Sequence, residues 1–81
     1  MKLKSNIAVS ESGFMFDAGT GDSYSLNHTA KTIVNLLNEG KTEKEIMDFF
    51  SQNYDVEKGI FEHNFHDFVS IIRSMNLTED N

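Results

Sequence analysis

Residues 13–27 read GFMFDAGTGDSYSLN, and the fold turns on them. Phe14 and Phe16 alternate around Met15, Tyr24 and Leu26 alternate between Ser23, Ser25 and Asn27, and Asp17-Ala18-Gly19-Thr20-Gly21-Asp22 stands between the two runs. A period of two marks strands, and a connection rich in Gly and Asp marks the hairpin that joins them. The two glycines supply backbone freedom at φ > 0, and Asp17 and Asp22 can accept hydrogen bonds from turn amides. The same period predicts that Phe14, Phe16, Tyr24 and Leu26 share one buried face.

Upstream, Ile7 and Val9 alternate with polar neighbours before the turn residues Ser10 to Gly13, which predicts a short first strand. Downstream, Asn27 changes the period. Ala30, Ile33, Val34 and Leu37 follow at helical spacing, with Asn27 or Thr29 able to accept the orphan amides of the first turn and Gly40 suited to the exit. Thr42-Glu43-Lys44-Glu45 has the spacing of a capping box and opens a second helix carrying Ile46, Met47, Phe49 and Phe50, which ends near Tyr54. Asp55 can cap a third helix from about Glu57 to Met75, with Asn76 tolerating the left-handed exit. The tail Thr78-Glu79-Asp80-Asn81 is expected to be disordered. The reading is therefore one α+β domain over residues 1–77, a small winged-helix-like fold in which a three-stranded antiparallel sheet precedes three helices. So short a sheet must lie against the helices, burying one face and leaving at least one edge strand unpaired.

At about 100° per residue, Phe61, Phe65, Phe68, Ile72 and Met75 of the third helix fall within an arc of about 80°. Ile60 and Ile71 widen the apolar arc on one side and Val69 on the other, beyond what one contact stripe requires. The helix either packs between sheet and helices with nothing left over, or one flank, Ile60 with Asn64 or Val69, lines a groove beside the open strand. An extended peptide could lay alternate side chains there, because an unpaired edge supplies backbone hydrogen bonds and an adjoining helix supplies pockets.

Composition narrows the chemistry. The chain has 81 residues, too few to enclose a deep catalytic cavity. Seven Lys and Arg against 13 Asp and Glu leave a formal charge of −6, which argues against generic nucleic-acid binding. Cysteine is absent, which removes disulfides, thiolate metal sites and a Cys nucleophile together. No apolar run of about 18 residues occurs, and Met1-Lys2-Leu3-Lys4 leads into no signal-like core, so neither a membrane span nor an export signal is expected and the cytoplasm is the expected location. His63 and His66 lie three apart near Glu62 and Asp67, a spacing that could serve one metal, but two exposed histidines without a larger cluster read as solvated helix residues. His28 reads as exposed or locally hydrogen-bonded. Ser10 and Ser12 have no recognisable His and carboxylate partners. Gly19 and Gly21 lack the following Lys-Ser or Lys-Thr of a phosphate loop, and Asp17 with Asp22 lack calcium-loop spacing. No cofactor, metal site or catalytic residue is expected.

The succession Ser12-Gly13-Phe14-Met15-Phe16-Asp17, Gly21-Asp22-Ser23-Tyr24-Ser25-Leu26-Asn27-His28-Thr29-Ala30, Ile33-Val34-Asn35-Leu36-Leu37, Gly40-Lys41-Thr42, Glu45-Ile46 and Tyr54-Asp55-Val56 resembles the PqqD family. Its members are small peptide chaperones of pyrroloquinoline quinone biosynthesis, and the same fold recurs as the leader-peptide recognition element of ribosomally made, modified peptides. The resemblance implies a winged-helix-like fold that takes a precursor leader as an added antiparallel strand and presents it to a modifying enzyme, such as one of the radical S-adenosylmethionine class. Carried onto this chain, the accepting strand is Ser23, Tyr24, Ser25 and Leu26, and the wall includes residues around Phe61, Asn64, Phe65 and Phe68, to which the helix projection adds Ile60 as a candidate. Val34 stands where the family often has Trp, Asn64 where Asp is common and Asn76 where Gly usually ends the helix. An uncharged Asn64 cannot pair with a basic leader side chain as Asp would.

Two other classes stay open at this level. A winged-helix DNA binder is opposed by the sparse cations of the second and third helices, Lys44, Lys58 and Arg73. A bare interaction module would use the same edge or aromatic helix to form a homodimer or to dock an enzyme, and the oligomeric state is not legible.

Overall fold

The computed structural model describes residues 2–79. Three strands, β1 (Ile7–Val9), β2 (Phe14–Asp17) and β3 (Ser23–Ser25), precede three helices, α1 (His28–Asn38), α2 (Glu43–Asn53) and α3 (Lys58–Ser74). The strands form one antiparallel sheet in the order β1-β2-β3, the expected α+β architecture.

Of the hairpin face expected to be buried, Tyr24 and Leu26 do pack half-buried against the core, but the β2 half is reversed. Met15 is buried at 2% exposure, while Phe14 and Phe16 stand 55% and 45% exposed. Loop parity is the cause. Asp17 and Asp22 close the hairpin, with the Asp17 amide donating to the Asp22 carbonyl at 2.8 Å, and four residues lie between them. An even-numbered connection pairs residues of opposite parity, so Met15 sits opposite Tyr24, and Phe14 and Phe16 sit opposite Ser25 and Ser23. On the other side Val9 and Ile7 pair with Met15 and Asp17, which places them on the inner face with half-buried Tyr24. Asp17, buried at the turn, accepts from Asn6 Nδ2 at 3.0 Å and from the Gly19 amide at 2.8 Å, so its carboxylate is satisfied.

The helices begin and end largely where side-chain chemistry dictates. Asn27 caps α1 by accepting from the Ala30 amide at 2.8 Å. The Thr42–Glu45 capping box of α2 is closed in both directions, at 3.1 and 2.9 Å. For α3 the cap is Glu57, which accepts from the Gly59 amide, rather than Asp55 two residues earlier. Asn76 adopts φ 62°, and the Leu77 amide bonds the Ile72 carbonyl while the Asn76 amide bonds that of Arg73, a Schellman arrangement in which Asn replaces the usual Gly.

That turn sends the chain back along its own beginning, so the tail is ordered further than expected. Thr78 is buried and bridges Leu3, Lys4 N–H donates to Leu77 C=O at 3.0 Å, and Glu79 N–H donates to Lys2 C=O at 2.9 Å. Leu3 and Leu77 thereby join the core, a pairing across the whole chain length that no local pattern announces. Asp80 and Asn81, also expected to be disordered, lie outside the described residues.

The core is built from Met15 beneath the sheet, Ile33, Val34 and Leu37 of α1, Ile46 and Phe50 of α2, and Phe61, Phe65, Val69 and Ile72 of α3. The third helix thus turns its Val69 flank inward. Met75, expected in the core stripe, is 39% exposed, and Ile60 and Ile71 are 61% and 54% exposed. With half-buried Phe68 they leave an apolar flank of α3 unburied beside Asn64.

Candidate functional site

Among the described residues β3 has one neighbouring strand, β2. The Asp17 amide bonds the Asp22 carbonyl at one end of this ladder, and the Leu26 amide bonds the Gly13 carbonyl, at 2.7 Å, at the other. Antiparallel ladders alternate, so Tyr24 directs its amide and carbonyl inward to Met15, and Ser23 and Ser25 direct theirs outward from the sheet. Two donors and two acceptors are thus aimed at an open edge, held in extended geometry by the strand behind them.

The edge leads into a groove. Immediately past β3 and Leu26, Asn27 begins the lining of a cavity of about 370 Å³ between the first turns of α1 and the face of α3. Thr29, Ala30 and Ile33 form one side, and Phe61, Asn64, Phe65 and Phe68 form the other. No charged residue lines it. A second cavity of about 270 Å³ shares Thr29, Phe61 and Asn64 with the first and continues toward Phe50, Tyr54, Val56 and Ile60, with Glu57 at its rim. Its aromatic wall is packed: Phe50 meets Phe61 at 4.5 Å between ring centroids and stacks on Tyr54 at 5.2 Å. His28 Nε2 and the Tyr54 hydroxyl are hydrogen-bonded at 3.1 Å, which ties the start of α1 to the end of α2; His28 is thus exposed, as expected, with a partner distant in sequence.

The residues singled out in the sequence fall into two groups. Phe61, Asn64, Phe65 and Phe68 line the first cavity, and Ile60 joins Phe61 and Asn64 in the second, whereas Val69 is buried and lines a separate cavity on the other flank. Ser23, Tyr24 and Ser25 form the edge strand, and Leu26 follows it half-buried; none of the four lines either cavity. Thr29 and Ala30 were not anticipated as lining residues, nor were Phe50, Tyr54 and Val56. The signal for the first two was their small size at the start of a helix, which leaves space opposite Asn64; the rest depend on how α2 packs.

A larger cavity of about 590 Å³ lies on the opposite flank of α3, bordered by Lys41, Thr42, Glu43, His66, Ser70 and Arg73 among others. It does not touch the open edge; Phe65 lines both it and the apolar groove, and Val69 lines it as well. His66 Nε2 is hydrogen-bonded there to Glu43 Oε1, and this carboxylate holds the imidazole above its ordinary pKa. His63 instead meets Asp67 at 3.3 Å. Each histidine is thus tied to its own carboxylate, and no group of three metal-ligating side chains occurs among the described residues. Glu45 is held below the usual carboxylate range by the hydrogen bond it accepts from the Thr42 amide. No helix among the described residues is long and apolar enough to cross a membrane.

Two solved structures are similar to this chain over nearly its whole length. One, described as lasso peptide synthetase B1 complexed with the leader peptide, has a TM-score of 0.81 at 25% identity, covering 94% of this chain and 93% of that one. The other, TbiB1 in complex with the TbiA(beta) leader peptide, has a TM-score of 0.86 at 26% identity, covering 100% and 98%. No curated protein matches the chain. The model of the family described as coenzyme PQQ synthesis protein D (PqqD) matches residues 13–77, a span that runs from the glycine opening β2 to the leucine that closes the core after α3. On that match, and with the strand-then-helix architecture and open β3 edge it accompanies, the chain belongs to the PqqD family.

Proposed function

We propose that this protein is a non-catalytic peptide chaperone, which captures the leader of a ribosomally made precursor peptide as an added strand on β3 and presents it to a peptide-modifying enzyme. The observation that carries the reading is the open edge of β3, with the outward backbone groups of Ser23 and Ser25, ending at an uncharged apolar groove. The structural neighbours at 25% and 26% identity are themselves complexes with leader peptides, which supports the same class of ligand here. In this reading the backbone edge provides sequence-tolerant affinity, while Phe61, Asn64, Phe65 and Phe68, with Ile60 farther along, select side chains on the inward face of the peptide. The protein contributes binding and no chemistry of its own. The chain's charge of −6 adds steering toward a leader with basic character, a contribution that salt screens.

The test is a ¹⁵N NMR titration with the synthetic leader of the precursor peptide encoded beside the gene. Shifts should cluster at Ser23, Ser25, Thr29 and Asn64. Shifts confined to the far flank of α3, around His66 and Arg73, would reject the site.

A further inference from the structure

The register of the hairpin leaves two phenylalanines where a β-sheet protein has no structural use for them. Phe14 and Phe16 stand on the outer face of the sheet, away from the core, at 55% and 45% exposure, and neither ring makes an aromatic contact among the described residues. Their cross-strand partners on β3 are Ser25 and Ser23, among the smallest side chains available. β3 therefore presents a low step between two aromatic rings on one side and the open edge on the other.

A strand added to that edge would lie about 4.8 Å beyond β3 and about twice that from β2. Its residues alternate between faces, so every second side chain falls on the outer face beside Ser23 and Ser25. Two large side chains leaning toward each other across a serine span such a distance, whereas a bulky residue on β3 would hold them apart. We propose that the leader is read on both faces of the added strand: inward residues by the groove beside α3, and outward residues of large apolar or aromatic type by Phe14 and Phe16 across the serine step. This rests on the strand-addition reading above and extends it to a second, interleaved set of leader positions and to two residues outside the groove.

The test uses the full chain and the same synthetic leader carrying an N-terminal fluorophore, with affinity read by anisotropy. Ser25→Pro serves as the arm for strand addition itself, because it removes an outward amide. Phe14→Thr and Phe16→Thr keep strand propensity, and each should weaken binding roughly threefold to tenfold, the range for an aromatic contact. Alanine substitution of the leader at alternate positions should then divide into two sets: losses from the outward set vanish in the Phe14→Thr, Phe16→Thr background, and losses from the inward set persist. Circular dichroism and sedimentation accompany each variant. If Ser25→Pro binds as the parent does, strand addition fails and this inference falls with it. If Ser25→Pro weakens binding fivefold or more while both Phe variants bind within twofold of the parent, or if the two leader sets respond alike, strand addition stands and two-faced reading is overturned. A dimer that the Phe variants dissociate would assign the face to a second copy and overturn it equally.

Discussion

Replacing Ser25 by Pro isolates the backbone contribution to binding. Ser25 sits on an edge strand with its amide directed outward, so the Pro ring removes a donor that the native ladder does not use. The neighbouring inward bonds, at Tyr24 and at the Leu26 amide to the Gly13 carbonyl, remain. Folding stability should therefore change by no more than about 0.5 kcal/mol, as for an exposed substitution. Binding should change far more. In an antiparallel addition Ser23 and Ser25 each exchange two hydrogen bonds with the peptide, and the substitution removes one of these four while leaving a peptide carbonyl desolvated without a donor. That costs about 1–3 kcal/mol, a loss of affinity between about fivefold and about 150-fold.

The control is Tyr24→Pro, one residue away, which removes an inward amide and should instead lower the thermal midpoint by breaking the ladder to β2. Anisotropy titration and thermal unfolding of the two variants side by side separate the effects. A Ser25→Pro protein that melts with the parent and binds the leader with unchanged affinity would refute strand addition at this edge. Equal destabilisation by the two prolines would refute the alternation from which the outward direction of Ser25 was deduced.

Other expectations follow from the same geometry. Met15→Ala should destabilise by about 2–5 kcal/mol in urea unfolding, whereas Phe16→Thr, on the outer face, should cost less than about 1 kcal/mol; the reverse order would show that the hairpin faces were assigned wrongly. Gly13 has φ +94°, and a Cβ there would stand 2.9 Å from the Leu26 carbonyl oxygen, so Gly13→Ala should lose about 1–3 kcal/mol and loosen the start of β3, visible as faster amide exchange at Leu26. Stability should fall on both sides of a pH plateau. The raised pKa of His66 makes its contribution complete below the ordinary imidazole value and lost as pH rises through the raised one, so His66→Gln should flatten the alkaline side. The lowered pKa of Glu45 makes its contribution complete above the ordinary carboxylate value and lost as pH falls through the depressed one, so Glu45→Gln should flatten the acid side.

What the sequence disclosed depends on the range of the interaction that decides each feature. The caps at Asn27 and Thr42 and the exits at Gly40 and Asn76 are decided within four or five residues, and all were legible. The strands of the hairpin were legible as well, and so was the inward face of Tyr24 and Leu26, but the face of β2 was not, because Phe looks more buriable than Met. Loop parity outranks hydrophobicity there: with Asp17 opposite Asp22, Phe16 and Tyr24 cannot share a face whatever their side chains prefer. The pairing of Thr78 with Leu3 joins opposite ends of the chain and carries no periodic signature, so a tail rich in polar residues read as disorder. On α3 both flanks are apolar, and only tertiary packing, which buries Val69 and leaves Ile60 exposed, distinguishes them.

The exposed aromatics and the exposed backbone belong to one physical problem. An edge strand presenting free amides is an invitation to aggregation, and here β3 is three residues long and begins and ends with serine, which limits nonspecific pairing with other sheets. Its donors are nonetheless fixed by the ladder to β2, so the conformational entropy of binding falls on the peptide rather than on the protein. Such an edge gives affinity without selectivity, and a neutral groove adds shape selection on one face of the bound strand. In the proposed reading the charge-free lining of the first cavity leaves discrimination among peptides to fit and burial, with Asn64, which lines both cavities, as a hydrogen-bonding group. A binder of this kind holds its ligand by contacts that are individually modest and mostly backbone-mediated, and release to an enzyme then requires only that the enzyme compete for one strand edge.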